Sequence, residues 1–173
     1  MDAVRDEVPK FGEDSQMSFL DVHAFAVRDI EPILQSVADQ LGREQFLAAI
    51  ERAAHEQGLA LGREAAAEAP SNDLAGYVAR IKAPSRFARH VLTIEIVEDT
   101  PEAVELKVTE CLWASVYRAL GAADLGAALI CGQDQGHCQG FNPRIRMVRT
   151  KTLMQGDAYC NHRFVWTDPP PAR

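Results

Sequence analysis

The sequence contains no long apolar run. No stretch approaches the roughly 20 residues that a membrane-crossing helix needs, so none is expected. Cysteine is scarce: there are four, and none precedes Cys111. The opening segment, Met1 to Gln16, is acidic and lacks the apolar core of an export signal, so a leader is not expected. A cytoplasmic location with reduced thiols follows as the expectation. Positive charge is in deficit, with 18 Lys and Arg against 25 Asp and Glu and a net charge of -7. Nucleic acid and anionic membrane both call for a basic surface, so neither is expected as a partner. There is no internal repeat and no linker-like stretch, which excludes solenoids and tandem modules.

What remains is ordinary globular composition, 47% hydrophobic and 25% charged over 173 residues. That length suits one domain with a genuine core. Residues 1–15 read as a flexible acidic tail, 16–167 as a single domain, and 168–173 as a proline-rich tail. Within the domain, the pattern is helical over 20–83 and sheet-containing over 90–167, with the change near Pro84. Val22 to Leu41 carries spaced apolar positions around Pro32, and Gly42 separates it from a second helix. There Phe46, Leu47, Ile50, Ala53 and Ala54 form a stripe, and the alanine-rich run continues to Ala69. Ser71 is expected to cap a third helix reaching about Lys82.

Beyond Pro84 the period becomes two. Leu92, Ile94 and Ile96 alternate with polar residues, as do Val104, Leu106 and Val108, which predicts a hairpin turning at Asp99-Thr100-Pro101. Leu112 to Leu120 predicts a short helix closed by Gly121. Asp124 to Ile130 predicts another, and the glycine-rich stretch Gly132 to Asn142 a loop. Ile145 to Thr152 and Tyr159 to Trp166 predict a second hairpin. The fold class is α+β: N-terminal helices packed on an antiparallel sheet of about four strands, with two short helices inserted between the hairpins.

The reactive residues cluster late. Cys131 follows an apolar helix, with Asp134 three positions on. A thiolate is a strong nucleophile and a carboxylate can serve as base, although a lone thiol on an apolar helix also reads as a small core residue. Cys111 stands where a strand meets a helix, and the same two readings apply. Cys131, Asp134, His137 and Cys138 form C-x-x-D-x-x-H-C, whose residue types suit zinc but whose spacing lacks paired C-x-x-C halves. No metal and no cofactor is expected. Arg149 shares a predicted strand face with Ile145 and Met147, so it needs a partner: Asp134, Asp157 or a substrate carboxylate.

Two longer stretches resemble a known family. E-C-L-W-A-S-V-Y-R-A-L-G-A-A-D-L-G-A-A-L-I-C-G-Q-D, from Glu110 to Asp134, is similar to the central block of the L-2-amino-thiazoline-4-carboxylic acid hydrolase family. N-P-R-I-R-M-V-R-T-K-T-L-M-Q-G-D-A-Y-C, from Asn142 to Cys160, resembles its closing block. The order E-C, C-x-x-D, R-T-x-T-L, G-D-x-x-C carries the likeness. After Cys160 the family continues with an acidic residue and an aromatic, where this chain has Asn161-His162.

The resemblance implies hydrolytic opening of a small carboxylated heterocycle, cyclising through a C–N or C–S bond in the manner of an isothiourea, or of a related amide-like compound. It makes Cys131, Asp134 and Cys111 the catalytic candidates, and Arg149, Asp157 and Cys160 the substrate-binding ones; His162, just past the matching block, is a further substrate-binding candidate. The partner implied is a small-molecule substrate, and the sequence leaves a homo-oligomer open. The closing hairpin is also similar to small-molecule-binding domains of the 4-vinyl reductase type. Their metal-binding E-x-x-C is replaced here by Arg149-Thr150-Lys151-Thr152. A non-catalytic, sensor-type binding domain is therefore the second reading, and a metal-dependent hydrolase using Cys131, Asp134, His137 or His162 the third.

Overall fold

The computed structural model describes residues 17–83 and 86–167. The two expected tails and Pro84 lie outside the described residues. Helix α1 spans Phe19–Leu41 and opens on a capping box, in which the Ser18 hydroxyl accepts from the Asp21 amide and Asp21 reaches back to the Ser18 amide. Gly42, at φ 86°, turns the chain into α2, Arg43–Glu68. Helix α3, Leu74–Lys82, is capped by Asp73, whose carboxylate accepts from the Gly76 amide at 2.8 Å. The expected cap, Ser71, instead donates to Asp73 at 2.7 Å, because the carboxylate is the stronger acceptor for the helix amides. A short helix α4, Arg86–Val91, leads into the sheet.

The sheet has four antiparallel strands in the order β1-β2-β4-β3: β1 Leu92–Asp99, β2 Ala103–Cys111, β3 Ile145–Val148 and β4 Cys160–Trp166. The two predicted hairpins are thus joined through β2 and β4, with Val108 opposite Cys160 and Leu106 opposite His162. Between the hairpins lie α5, Leu112–Ala119, and α6, Ala123–Gly126, which runs on through a π-helical turn, Ala127–Cys131. The α+β architecture expected from the sequence is the one observed.

The second hairpin is shorter than its sequence pattern. Strand β3 stops at Val148 rather than Thr152, because the Asn161 side chain accepts the amides of Thr150 and Lys151 at 3.0 and 2.7 Å and draws them out of the ladder. Arg149 is therefore the first residue past the strand. The connection then folds around a 3-10 turn, Leu153–Gln155.

The stretch expected as a loop, Gly132 to Asn142, is instead helical: α7 spans Gln133–Phe141. Its glycines are spaced by four, and they face α2. A Cβ on Gly136 would lie 2.2 Å from the His55 carbonyl oxygen, and one on Gly140 2.2 Å from that of Leu59. From the other side, a Cβ on Gly58 would lie 2.3 Å from the Gln133 carbonyl, and one on Gly62 2.2 Å from that of His137. The two helices touch backbone to backbone along a reciprocal glycine seam. Close packing across it offsets the poor helix propensity of glycine, roughly 1 kcal/mol per residue.

Two apolar clusters flank this seam. One joins α2, α3 and α7 to the inner sheet face through Tyr77, Val104, Leu106, Phe141 and Phe164. The other joins α1 and α2 to α5 and α6 through Phe46, Tyr117, Leu125 and Met154. The π-helical turn packs against the second cluster through Ala127, Leu129, Ile130 and Cys131.

Candidate functional site

The inner face of the sheet changes character across its strands. Strand β4 contributes Cys160 and His162, β2 contributes Leu106 and Val108, and β1 contributes Leu92 and Ile94. With Trp113 of α5, Ile130 of the π-helical turn and Ala79, Arg80 and Ile81 of α3, these residues line an open cavity of about 720 Å³. Cys111, Cys131, Asp134 and Arg149 line it as well. Six of the seven residues expected at the site therefore meet in one place. Asp157 is not among them. It is exposed, and its carboxylate accepts from the Thr152 amide at 2.8 Å, holding the connection after β3.

Three elements converge at the polar end. Asp134 sits in the first turn of α7, where the helix dipole favours a carboxylate. Arg149 arrives from the end of β3, and His162 from the middle of β4. The Arg149 guanidinium donates to the Asp134 carboxylate, to His162 Nε2 at 3.2 Å and to the Cys131 carbonyl at 3.1 Å. Arg149 is largely buried, at 18% exposure, whereas Asp134 is 40% exposed, so water reaches one side of the ion pair.

The imidazole must accept from Arg149, since a guanidinium can only donate. His162 is thus neutral, with its proton on Nδ1 and the Nε2 lone pair engaged by Arg149; an Asp134 carboxylate oxygen lies 3.7 Å from the same nitrogen. Burial pushes its pKa down and Arg149 pushes the same way, against the pull of Asp134.

The thiols lie in surroundings that disfavour the thiolate. Burial pushes the Cys131 thiol up to about 12, more than the nearby Arg149 charge can recover. Burial likewise raises Cys111 and Cys160. Cys111 caps α5 through its sulfur, which accepts from the Ala114 amide at 3.5 Å, and Cys160 accepts from the Leu153 amide at 3.2 Å. All three enter the cavity as neutral thiols. Cys138 is fully buried and donates to the Gln135 carbonyl at 3.2 Å, and His137 lies beside the Tyr77 hydroxyl at 3.2 Å. Among the described residues, no group of three His, Cys, Asp or Glu side chains stands close enough to hold a metal ion.

A second, more open groove of about 1050 Å³ lies on the far side of Cys131 and Arg149, which line both spaces. It carries no other candidate residue. The apolar residues of the first cavity were visible in the sequence only as an inward-facing strand pattern, and Trp113 only as a neighbour of Cys111.

The sequence model of the L-2-amino-thiazoline-4-carboxylic acid hydrolase family matches residues 22–164. The chain belongs to that family. The match spans every element that lines the cavity. No curated protein matches the chain. Among solved structures, the family member is similar to the phenol-responsive sensory domain of the transcription activator PoxR, with phenol, at a TM-score of 0.54. The identity is 13%, over 80% of this chain and 73% of that one, which is a likeness of fold. Trafficking protein particle complex subunit 3 from Naegleria fowleri, covalently bound to palmitic acid, follows at a TM-score of 0.46. It is 13% identical over 81% of this chain and 96% of that one. No helix of the described residues is long and apolar enough to cross a membrane.

Proposed function

We propose that this chain hydrolyses a small carboxylated heterocycle of the cyclic amidine or isothiourea type, opening a C–N or C–S bond in the cavity around Asp134, Arg149 and His162. One observation carries the reading. In a largely apolar cavity, Arg149 bridges a carboxylate and a neutral imidazole. That ion pair is complementary, in both signs, to a ligand bearing a carboxylate and an amidinium. The substrate carboxylate takes the Arg149 fork, and the amidinium takes Asp134.

The exchange releases the His162 Nε2 lone pair. A water molecule then gives one proton to His162 while its oxygen bonds to the amidine carbon. In an isothiourea ring the C–S bond breaks, and the sulfur leaves with the proton returned by His162. The carbonyl forms as the amidinium's extra proton passes to solvent, and an N-carbamoyl amino acid results. Water is the preferred attacking group over Cys131, because a thiol pushed up to about 12 supplies little thiolate near neutral pH.

Incubation with 2-amino-thiazoline-4-carboxylate, followed by the appearance of new thiol and by product mass, tests this. Asp134→Asn and His162→Gln should each lower kcat by about 100-fold or more while the fold still melts cooperatively. The second reading, a non-catalytic small-molecule-binding domain, is favoured by the apolar lining and the neutral thiols. Saturable binding of the same compound without turnover would select it.

A further inference from the structure

A single small heterocycle occupies only part of the cavity around Asp134. Its volume, about 720 Å³, is that of a pocket for a drug-sized ligand. Its charged and polar groups come from α7, the end of β3 and β4, with Arg80 of α3 also on its wall. In the row that crosses the sheet beside the ion pair, His162 lies opposite Leu106, which lies opposite Ile96. In the next row, Cys160 lies opposite Val108, which lies opposite Ile94. In these rows β4 carries His162 and a thiol, while β2 and β1 line the cavity with the hydrocarbon of Leu106, Val108 and Ile94; the Cys111 thiol stands at the end of β2. Neighbouring strands are about 4.8 Å apart, so the apolar floor extends about 10 Å from β4 to β1. Trp113 and Ala79 lie along the same space. Leu106 and Val108 are buried and also line the void, so part of their surface gains packing only when something fills it.

Building on the hydrolase reading above, we infer that the natural ligand carries an apolar arm, alkyl or aryl, attached to its carboxylated polar ring and lying across β2 toward β1. The head is held by Arg149 and Asp134. The arm is held by Leu106, Val108, Ile94 and Trp113, and it selects among compounds that share the same head.

Two series of compounds test this. The first is 2-amino-thiazoline-4-carboxylate bearing hydrogen, methyl, propyl or pentyl at ring carbon 5, followed by release of thiol. The second is the corresponding aromatic 2-amino-thiazole-4-carboxylates, which resist ring opening, followed by calorimetric binding. Each methylene placed on the apolar floor should tighten binding of the inert series about fourfold, and should raise kcat/KM of the reactive series by a similar factor. Ile94→Phe should shorten the chain length at which this gain stops. Hydrolysis of the parent with no gain along either series would overturn the apolar arm and leave the hydrolase reading standing. Rising affinity along the inert series with no hydrolysis of any compound would keep the arm and remove the hydrolase. An unchanged optimum in Ile94→Phe would overturn the placement of the arm toward β1.

Discussion

Replacing Arg149 with Met keeps most of the side-chain volume and removes the charge that organises the polar end of the cavity. The cost follows from what Arg149 touches. It loses the Asp134 ion pair and the donations to His162 and to the Cys131 carbonyl. Stripping one partner from a fully buried pair costs about 3 to 5 kcal/mol, and an exposed pair is worth about 1 kcal/mol or less. Here Arg149 is 18% exposed and Asp134 40%, so Asp134 regains water when it is left alone. The expected loss is about 2 kcal/mol. For a chain of 173 residues that lowers the melting temperature by about 4 to 8 °C. A second readout isolates the cluster from general damage. Arg149 is one of the two causes that hold His162 down, while Asp134 pulls it up. In Arg149→Met, the imidazole should therefore titrate at higher pH than in the parent protein, as followed by NMR. Arg149→Lys should recover part of the stability, since an ammonium can meet Asp134 but cannot fork to Cys131 as well. Unchanged melting together with an unchanged His162 titration would mean that Arg149 makes none of these contacts, and the proposed carboxylate-binding end would fall with it.

Three further outcomes are expected. Burial lowers the pKa of both His137 and His162, so the folded chain resists protons that the unfolded chain binds below about pH 6.5. Their contribution to stability is complete above that pH and is lost as pH falls toward the folded values, by at most about 1.4 kcal/mol per pH unit for His162; His162→Gln should flatten melting curves between pH 7 and pH 5, and an equal slope in both proteins would contradict this. Gly136→Ala drives a methyl into the His55 carbonyl, 2.2 Å from the ideal Cβ, and should cost about 3 kcal/mol or prevent folding. Gly121→Ala, at φ 72° in open space, should cost only about 1 to 2 kcal/mol, and comparable denaturation midpoints for the two variants would refute the seam. Iodoacetamide should label Cys131 slowly at pH 8, with the rate still climbing above pH 10, because the thiol is pushed up to about 12; fast labelling near neutral pH would restore Cys131 as a nucleophile.

Local pattern determined much of this protein. Alternation at Leu92, Ile94 and Ile96 and at Val104, Leu106 and Val108 specified the first hairpin, because a period of two can bury only one face of a strand. The spaced apolar positions before Lys82 specified three helices, and the four short motifs specified the family and most of the residues that meet at the cavity. What lay beyond the sequence depended on partners far away along the chain. Gly132, Gly136 and Gly140 read as loop because glycine is a poor helix former; only the opposing backbone of α2, at Gly58 and Gly62, makes a helix the lower-energy choice. The spacing of four between those glycines was the signal for it. Asp157 read as a site residue beside Gly156, yet its carboxylate is taken by the Thr152 amide five positions earlier. Arg149 left three partners open in the sequence, and packing chose Asp134 by bringing the start of α7 against the end of β3. The reactivity of the cysteines and the size of the cavity were decided the same way. A thiol's pKa follows from the low-dielectric surroundings that tertiary packing builds around it, and a void exists only where packed elements fail to meet.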